Sequence, residues 1–187
     1  LPFDARRRGI VPAEGAGTLL LERRSHAVRR GAKIYGVVSA AASRCGIPSS
    51  LYGGSVKAIA DAATASLRQA ELSPDDLSHI SAQGYSEQHL DQAEATAIGS
   101  FAAHTPVTAY SSYFGTAGAA CGMLELIGSL LAGQSGQVLP TLGFRQPDPQ
   151  CPVSVCQQVQ AANSPNFLKL SFTPRGHAAA VVVQCTN

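Results

Sequence analysis

His79-Ile80-Ser81-Ala82 followed by Gln83-Gly84-Tyr85, then a stretch from Asp91 to Ala102, then Pro106-Val107-Thr108-Ala109-Tyr110, is the passage on which the fold turns. The first four residues read as a short strand running into a glycine loop. Helical spacing follows from Asp91 to Ala102, and Pro106 to Tyr110 reads as a second strand. Strand, loop, helix and strand in this order are the repeating unit of an α/β layer.

The same alternation extends outward in both directions. Upstream, Val56, Ile59, Ala60, Ala63 and Leu67 recur at intervals of three and four, which predicts an amphipathic helix over 54–72. Ser73-Pro74-Asp75-Asp76 has the chemistry of a helix start, with a capping hydroxyl, a proline in the first turn and two acids near the positive end. Ile34 to Ala41 predicts a strand, Arg23 to Arg30 a helix ending at Gly31, and the apolar run Gly17 to Leu21 a buried strand. Downstream, the Gly/Ala-rich stretch 115–132 with Leu124, Ile127, Leu130 and Leu131 predicts a tightly packed central helix. Gly136 to Leu142, Phe167 to Phe172 and Ala178 to Gln184 then predict closing strands. The expectation is an α/β layered fold, a mixed sheet packed by helices.

The chain has 187 residues, 45% of them apolar, and a net charge of +2. That size removes roughly 70% of the unfolded surface from water, enough for a core without disulfides or metals. The small net charge argues against a nucleic-acid partner. Eight basic residues (Arg6, Arg7, Arg8, Arg23, Arg24, Arg29, Arg30 and Lys33) fall in the first 33 positions against three acids. The stretch reads as a solvated helix face or as a docking surface for an acidic partner. Five cysteines, odd in number and widely spread, fit reduced thiols and a cytoplasmic setting, and Cys151-x4-Cys156 lacks zinc-knuckle spacing, so no metal is expected. No apolar run has the ~18 residues of a membrane span.

Five segments in register resemble the β-ketoacyl-(acyl carrier protein) synthases of the thiolase fold. Pro2-Phe3-Asp4, Arg8-Gly9-Ile10-Val11 and Glu14-Gly15-Ala16-Gly17 are similar to the family's PFD and EGAG stretch, with Leu19-Leu20-Leu21-Glu22 and Arg30-Gly31-Ala32 after it. Ile80 to Gly84 with Asp91 and Glu94, then Ser111 to Thr116, then Leu139-Pro140-Thr141-Leu142 with Pro147-Asp148-Pro149, continue the match, and Ser171 to Ala178 completes it. Leu1-Pro2-Phe3-Asp4 reads as mid-domain sequence. The resemblance accordingly implies a fragment or separately encoded piece: 1–33 as the end of the N-terminal half, with a strand and helix remnant, and 34–187 as the C-terminal thiolase-like half.

The resemblance implies condensation of a cysteine-held acyl chain with a malonyl unit on acyl carrier protein, assisted by two histidines and a supporting lysine, with no cofactor. This chain departs at all three positions. The first histidine falls on Gln83, the lysine on Ser111 and the second histidine on Thr116, while the nucleophile lies upstream of the sequence. Gln83 donates a hydrogen bond but exchanges no proton near neutral pH, and Thr116 offers one short hydroxyl. Losing a single oxyanion donor costs on the order of 3 kcal/mol. The gating loop reads Thr173-Pro174-Arg175-Gly176 followed by His177, with proline where the family relies on glycine freedom. The pattern is similar to that of chain-length factors, the noncatalytic partner subunits. The expectation is a ketosynthase-like chain of fatty-acid or polyketide biosynthesis without condensing activity of its own. It would pair with the missing half and, as a homo- or heterodimer, with a ketosynthase. An acyl carrier protein would dock on Arg23, Arg24, Arg29 and Arg30. The alternative is an active synthase using Gln83 and Thr116 as neutral donors to a thioester carbonyl.

Other residues have plainer readings. Glu14, Asp91, Glu94 and Glu125 match family positions as structural anchors, and Cys121 reads as a small buried hydrophobe. His26, His79 and His104 are expected at the surface or at strand ends, as is His89, and His177 sits beside the gating loop.

Overall fold

A computed structural model describes residues 1–48 and 53–186. Strands β1 (Gly36–Cys45), β2 (Leu77–Ala82), β3 (Val107–Ala109), β6 (Asn166–Phe172) and β7 (His177–Cys185) form one five-stranded sheet in the order β1-β7-β6-β2-β3. β2 runs parallel to both β3 and β6, whereas β7 is antiparallel to β6 and β1, so the sheet is mixed. Its two faces are covered by different helices. α2 (Val56–Gln69) and α3 (Gln88–Ala102) pack over one face, and α5 (Cys121–Gln134) over the other. Alternation along the strands divides the core accordingly. Leu168, Leu170 and Val182 join the α2 side, while Phe167 and Val183 pack with Leu130 of α5.

Several expectations are corrected by this packing. Gly17 to Leu21 is not a buried strand: it runs as unpaired extended chain, with Leu20 and Leu21 77% and 74% exposed. Only Leu19 reaches the core, against the Leu130 and Phe167 cluster. A short apolar run carries no period that separates a strand from a coil laid over a helix. Ser73 to Asp76 forms one 3-10 turn rather than opening a helix. The Asp76 carboxylate accepts from the Ser73 amide at 2.8 Å, and β2 begins at once. Gly136 to Leu142 supplies only the two-residue β4 (Gln137–Val138), paired with β5 (Gln160–Ala161) in a separate ribbon, since Pro140 cannot extend a ladder. The strand expected from Ile34 starts at Gly36 and continues to Cys45. The central helix begins only at Cys121, after the short α4 (Ser111–Phe114) and a 3-10 turn over Gly118–Ala120.

His79 is likewise not at the surface. It is 1% exposed on β2, stacks on Phe167 at 5.2 Å between ring centres, and sits 3.3 Å from the Ser129 hydroxyl on α5. Burial lowers its pKa to about 4, so the ring is neutral at physiological pH. His26, His89 and His104 are exposed.

The basic N-terminal stretch is not one surface. Arg7 is an interior residue, its side chain 2% exposed, bonded to the Asp148 carboxylate at 2.6 Å and 3.6 Å from Asp91. Asp4 is fully buried and accepts from the Arg6 side chain at 2.8 Å and from the amides of Arg145 and Gln146 at 2.7 and 2.9 Å. Asp91, at the start of α3, accepts from the Phe3 amide at 2.9 Å and the Ser86 amide at 3.1 Å. These contacts lay residues 1–9 across the loops at one end of the sheet. Arg23, Arg24, Arg29 and Arg30 do lie exposed on or beside α1 (Arg24–Arg29), but the Arg30 guanidinium is engaged by Glu22.

Asp4→Ala removes the acceptor of the Arg6, Arg145 and Gln146 amides and of the Arg6 guanidinium, and is expected to lower stability by on the order of 3 kcal/mol, read as a fall in the urea midpoint at constant slope. Burial pushes Asp91 up to about 7. A carboxyl whose folded pKa lies above its unfolded value stabilises fully below about pH 4, and that contribution is lost as pH rises through about 7. Asp91→Asn is therefore expected to flatten the decline in melting temperature between about pH 4 and pH 7. An unchanged slope would show that Asp91 does not drive it.

Candidate functional site

The loop after β2 carries Gln83, and the sequence around it leaves little conformational choice. Gly84 has φ of +52°, and a Cβ there would lie 2.5 Å from the Ala109 side chain and 2.8 Å from Pro2. Glycine is required both for the dihedral and for the approach. The Glu94 carboxylate on α3 then fixes the loop, accepting from the Gln83 amide at 2.7 Å and the Gly84 amide at 2.9 Å. Ser111, at the start of α4, donates its hydroxyl to the Gly84 carbonyl at 2.5 Å.

Gln83 lines a cavity of about 540 Å³ at the ends of the sheet strands. Tyr85 and Gly122 share its wall, with Ser171 and Thr173 from the end of β6, His177 from β7, Arg44 from β1 and Cys121 from α5. Tyr85 donates its hydroxyl to the Phe172 carbonyl at 2.7 Å, which ties the wall to the end of β6. Cys121, which the sequence isolates from any histidine, therefore shares a cavity with His177. Burial raises the Cys121 thiol above its ordinary value, and its sulfur accepts from the Ala117 amide at 3.0 Å. A thiol held protonated is a poor nucleophile. Cys121 is 2% exposed, in keeping with a small buried residue.

Gln83, Ser111 and Thr116, the three positions that the sequence resemblance sets against two histidines and a lysine, are placed differently from one another. Gln83 is on the cavity wall. The Ser111 hydroxyl is turned to a backbone carbonyl. Thr116 is held by backbone pairing, its amide donating to Val11 at 2.8 Å and its carbonyl accepting from Ala13 at 3.0 Å, and it is not among the lining residues. The expected gating loop is a four-residue hairpin between β6 and β7. Thr173 donates its amide to the His177 carbonyl at 2.8 Å, and Gly176, with φ of +89°, packs where a Cβ would strike the Gly46 carbonyl. Thr173, Arg175 and His177 are exposed and Pro174 is half-buried. Glu14 is exposed, whereas Asp91 and Glu94 are both fully buried.

Two features were not apparent from the sequence. Lys169 in the middle of β6 is 4% exposed and forms an ion pair of 2.6 Å with Glu125 of α5, itself fully buried. The signal was a single cation inside the apolar run Asn166–Phe172, whose other inward residues are all hydrophobic. The Asp4, Arg7 and Asp148 cluster had no local signal, because its partners lie far apart in the chain. Among the described residues no group of three or more His, Cys, Asp or Glu side chains could hold a metal ion. Among the same residues no helix is long and apolar enough to cross a membrane.

Comparison with known proteins places this geometry. Residues 35–145 match the model of the β-ketoacyl synthase C-terminal domain. The chain is 35% identical over 184 residues to nodulation protein E of Rhizobium leguminosarum bv. trifolii, covering 96% of this chain and 46% of that protein. Among solved structures, the ishigamide ketosynthase/chain length factor superposes on the whole chain with a TM-score of 0.92 at 29% identity, over 47% of its own length. AntDE:AntF, a type II polyketide synthase acyl-carrier protein in complex with its ketosynthase bound to the hexaketide, does so with a TM-score of 0.87 at 30% identity, over 47% of that chain. The chain spans about half the length of these relatives. With more than half of its residues matched by the family model and the same mixed sheet throughout, the chain belongs to the β-ketoacyl synthase family and carries its C-terminal, thiolase-like domain.

Proposed function

We propose that this chain serves as the C-terminal half of a ketosynthase-like subunit of fatty-acid or polyketide biosynthesis that does not itself carry out decarboxylative condensation, and that acts by completing and pairing with an active ketosynthase. The observation that carries the reading is the cavity wall at Gln83. Condensation needs donors that strengthen as negative charge develops on an enolate or tetrahedral oxygen. The wall offers a neutral amide at the position aligned with one histidine. The hydroxyl at the lysine position is spent on the Gly84 carbonyl, and Thr116, held by two backbone hydrogen bonds, is not among the residues that line the cavity. The same placement of Thr116 weighs against the alternative, in which Gln83 and Thr116 together polarise a thioester carbonyl.

A cavity of this size that no longer assists bond formation still shapes the space available to a partner's acyl chain. Similarity to the ishigamide ketosynthase/chain length factor favours pairing as the way that shape is used. Arg23, Arg24 and Arg29 are exposed and fit the docking of an acidic acyl carrier protein, whereas Arg7 is excluded from such a face by its burial. The carrier complex of AntDE:AntF is the related assembly that supports this partner.

The full-length protein supplied with malonyl-loaded carrier protein is expected to release carbon dioxide at the background rate, and Gln83→His alone is not expected to raise it. Robust release by the unaltered protein overturns the reading. Charge reversal at Arg23, Arg24, Arg29 and Arg30 is expected to weaken carrier binding most at low salt, where surface charges are least screened. Binding that is unchanged at low salt removes this face from consideration.

A further inference from the structure

We infer that Lys169 is the positioning residue of the cavity: it supplies from β6 the positive charge that the family resemblance places at position 111, and so keeps Glu94 clamped on the Gln83 loop. Glu94 and Glu125 come from different helices, and both are fully buried behind the cavity wall. Carboxylates removed from water in this way are retained as charges only beside a cation. Ser111 carries no charge, and its hydroxyl ends at the Gly84 carbonyl. Lys169 reaches the cluster instead, at 2.6 Å from Glu125 and with its ammonium 3.3 Å from the Ser81 carbonyl, one residue before the strand gives way to the loop. It also attracts the Glu94 charge, opposing the burial that pushes this carboxyl up to about 7.

The pocket side of the cluster is set by this arrangement. An ionised Glu94 offers both oxygens to the Gln83 and Gly84 amides, whereas protonation makes one oxygen a donor and weakens it as an acceptor. Both oxygens of Glu125 are buried without a hydrogen-bond partner among the described residues, and Oε2 has the Lys169 ammonium as its ion-pair partner. A single lysine arriving from β6 thus balances the charge of Glu125 at Oε2 and leaves Oε1 without a partner among the described residues. Position 111 is one hydrogen bond from Gly84, which in turn is one hydrogen bond from Glu94, so an ammonium placed there would enter the same cluster. The inference holds whether or not the cavity supports condensation, because it concerns the charge behind the wall rather than the chemistry in front of it.

The test is a two-site exchange in the full-length protein, read by hydrogen exchange of the peptide spanning residues 81–85, with a peptide from α2 as the internal control. Lys169→Met should raise exchange in 81–85 by on the order of a hundredfold, the scale of breaking a buried ion pair, and by more than in the control. Ser111→Lys in the otherwise unaltered protein crowds a second cation into the cluster and should also raise it. Combining the two should restore protection to within about tenfold of the unaltered protein, a coupling that independent structural defects do not produce. Additive losses, or no change in 81–85 on removing Lys169, overturn the inference. If Lys169→Met alone does not fold, recovery of a folded protein by the double variant supports it and failure of both overturns it. Activity enters none of these measurements, so a condensing protein would refute the proposed function without touching this result.

Discussion

The Glu94 carboxylate holds the amides of Gln83 and Gly84 from the first turns of a helix, and most of what is distinctive in this chain depends on that clamp. A loop leaving the end of a buried strand has amides with no ladder partner, and buried amides must be satisfied. Glu94 satisfies two of them with one group. The arrangement removes a carboxylate from water, and the hydrogen bonds from the two loop amides compensate part of that cost.

Asp91, one helical turn earlier, performs the same kind of task on the opposite flank. It accepts the amides of Phe3 and Ser86 and sits beside Arg7, whose guanidinium continues to Asp148. The N-terminal residues are therefore tied to the site-bearing loop through a chain of polar contacts rather than through a hydrophobic seam. Asp4 extends this pattern to residues 145 and 146. The two acids of α3 thus divide the work, one holding the loop from below and the other holding the segment that lies over it. The cavity wall beyond these anchors combines the Gln83 amide and the Cys121 thiol with Arg44, Tyr85 and His177.

The resemblance to β-ketoacyl synthases was legible because it rests on local strings in a fixed order: PFD at residues 2–4, the strand and loop ending in Gln83-Gly84, and the closing Ser171-Phe172. Strands β2, β3, β6 and β7 and helices α2 and α3 were legible too, within a few residues, since each has a clear period or a β-branched run. The misreadings have a common cause. Gly17 to Leu21 and Gly136 to Leu142 are apolar enough for strands, but a strand also needs a neighbour with free hydrogen-bonding groups, and no string of residues reports where that neighbour lies.

By itself the sequence determined the α/β class and the family, because these are properties of residue identity and order. Only the tertiary structure decided that Arg7 is an interior cation and His79 a neutral core ring. It also decided that Thr116 is bound through its backbone to residues 11 and 13 and that Lys169 is buried against Glu125. Each of those outcomes depends on which distant segment covers a side chain, and burial and partner choice are set by packing across the sheet rather than by neighbours along the chain.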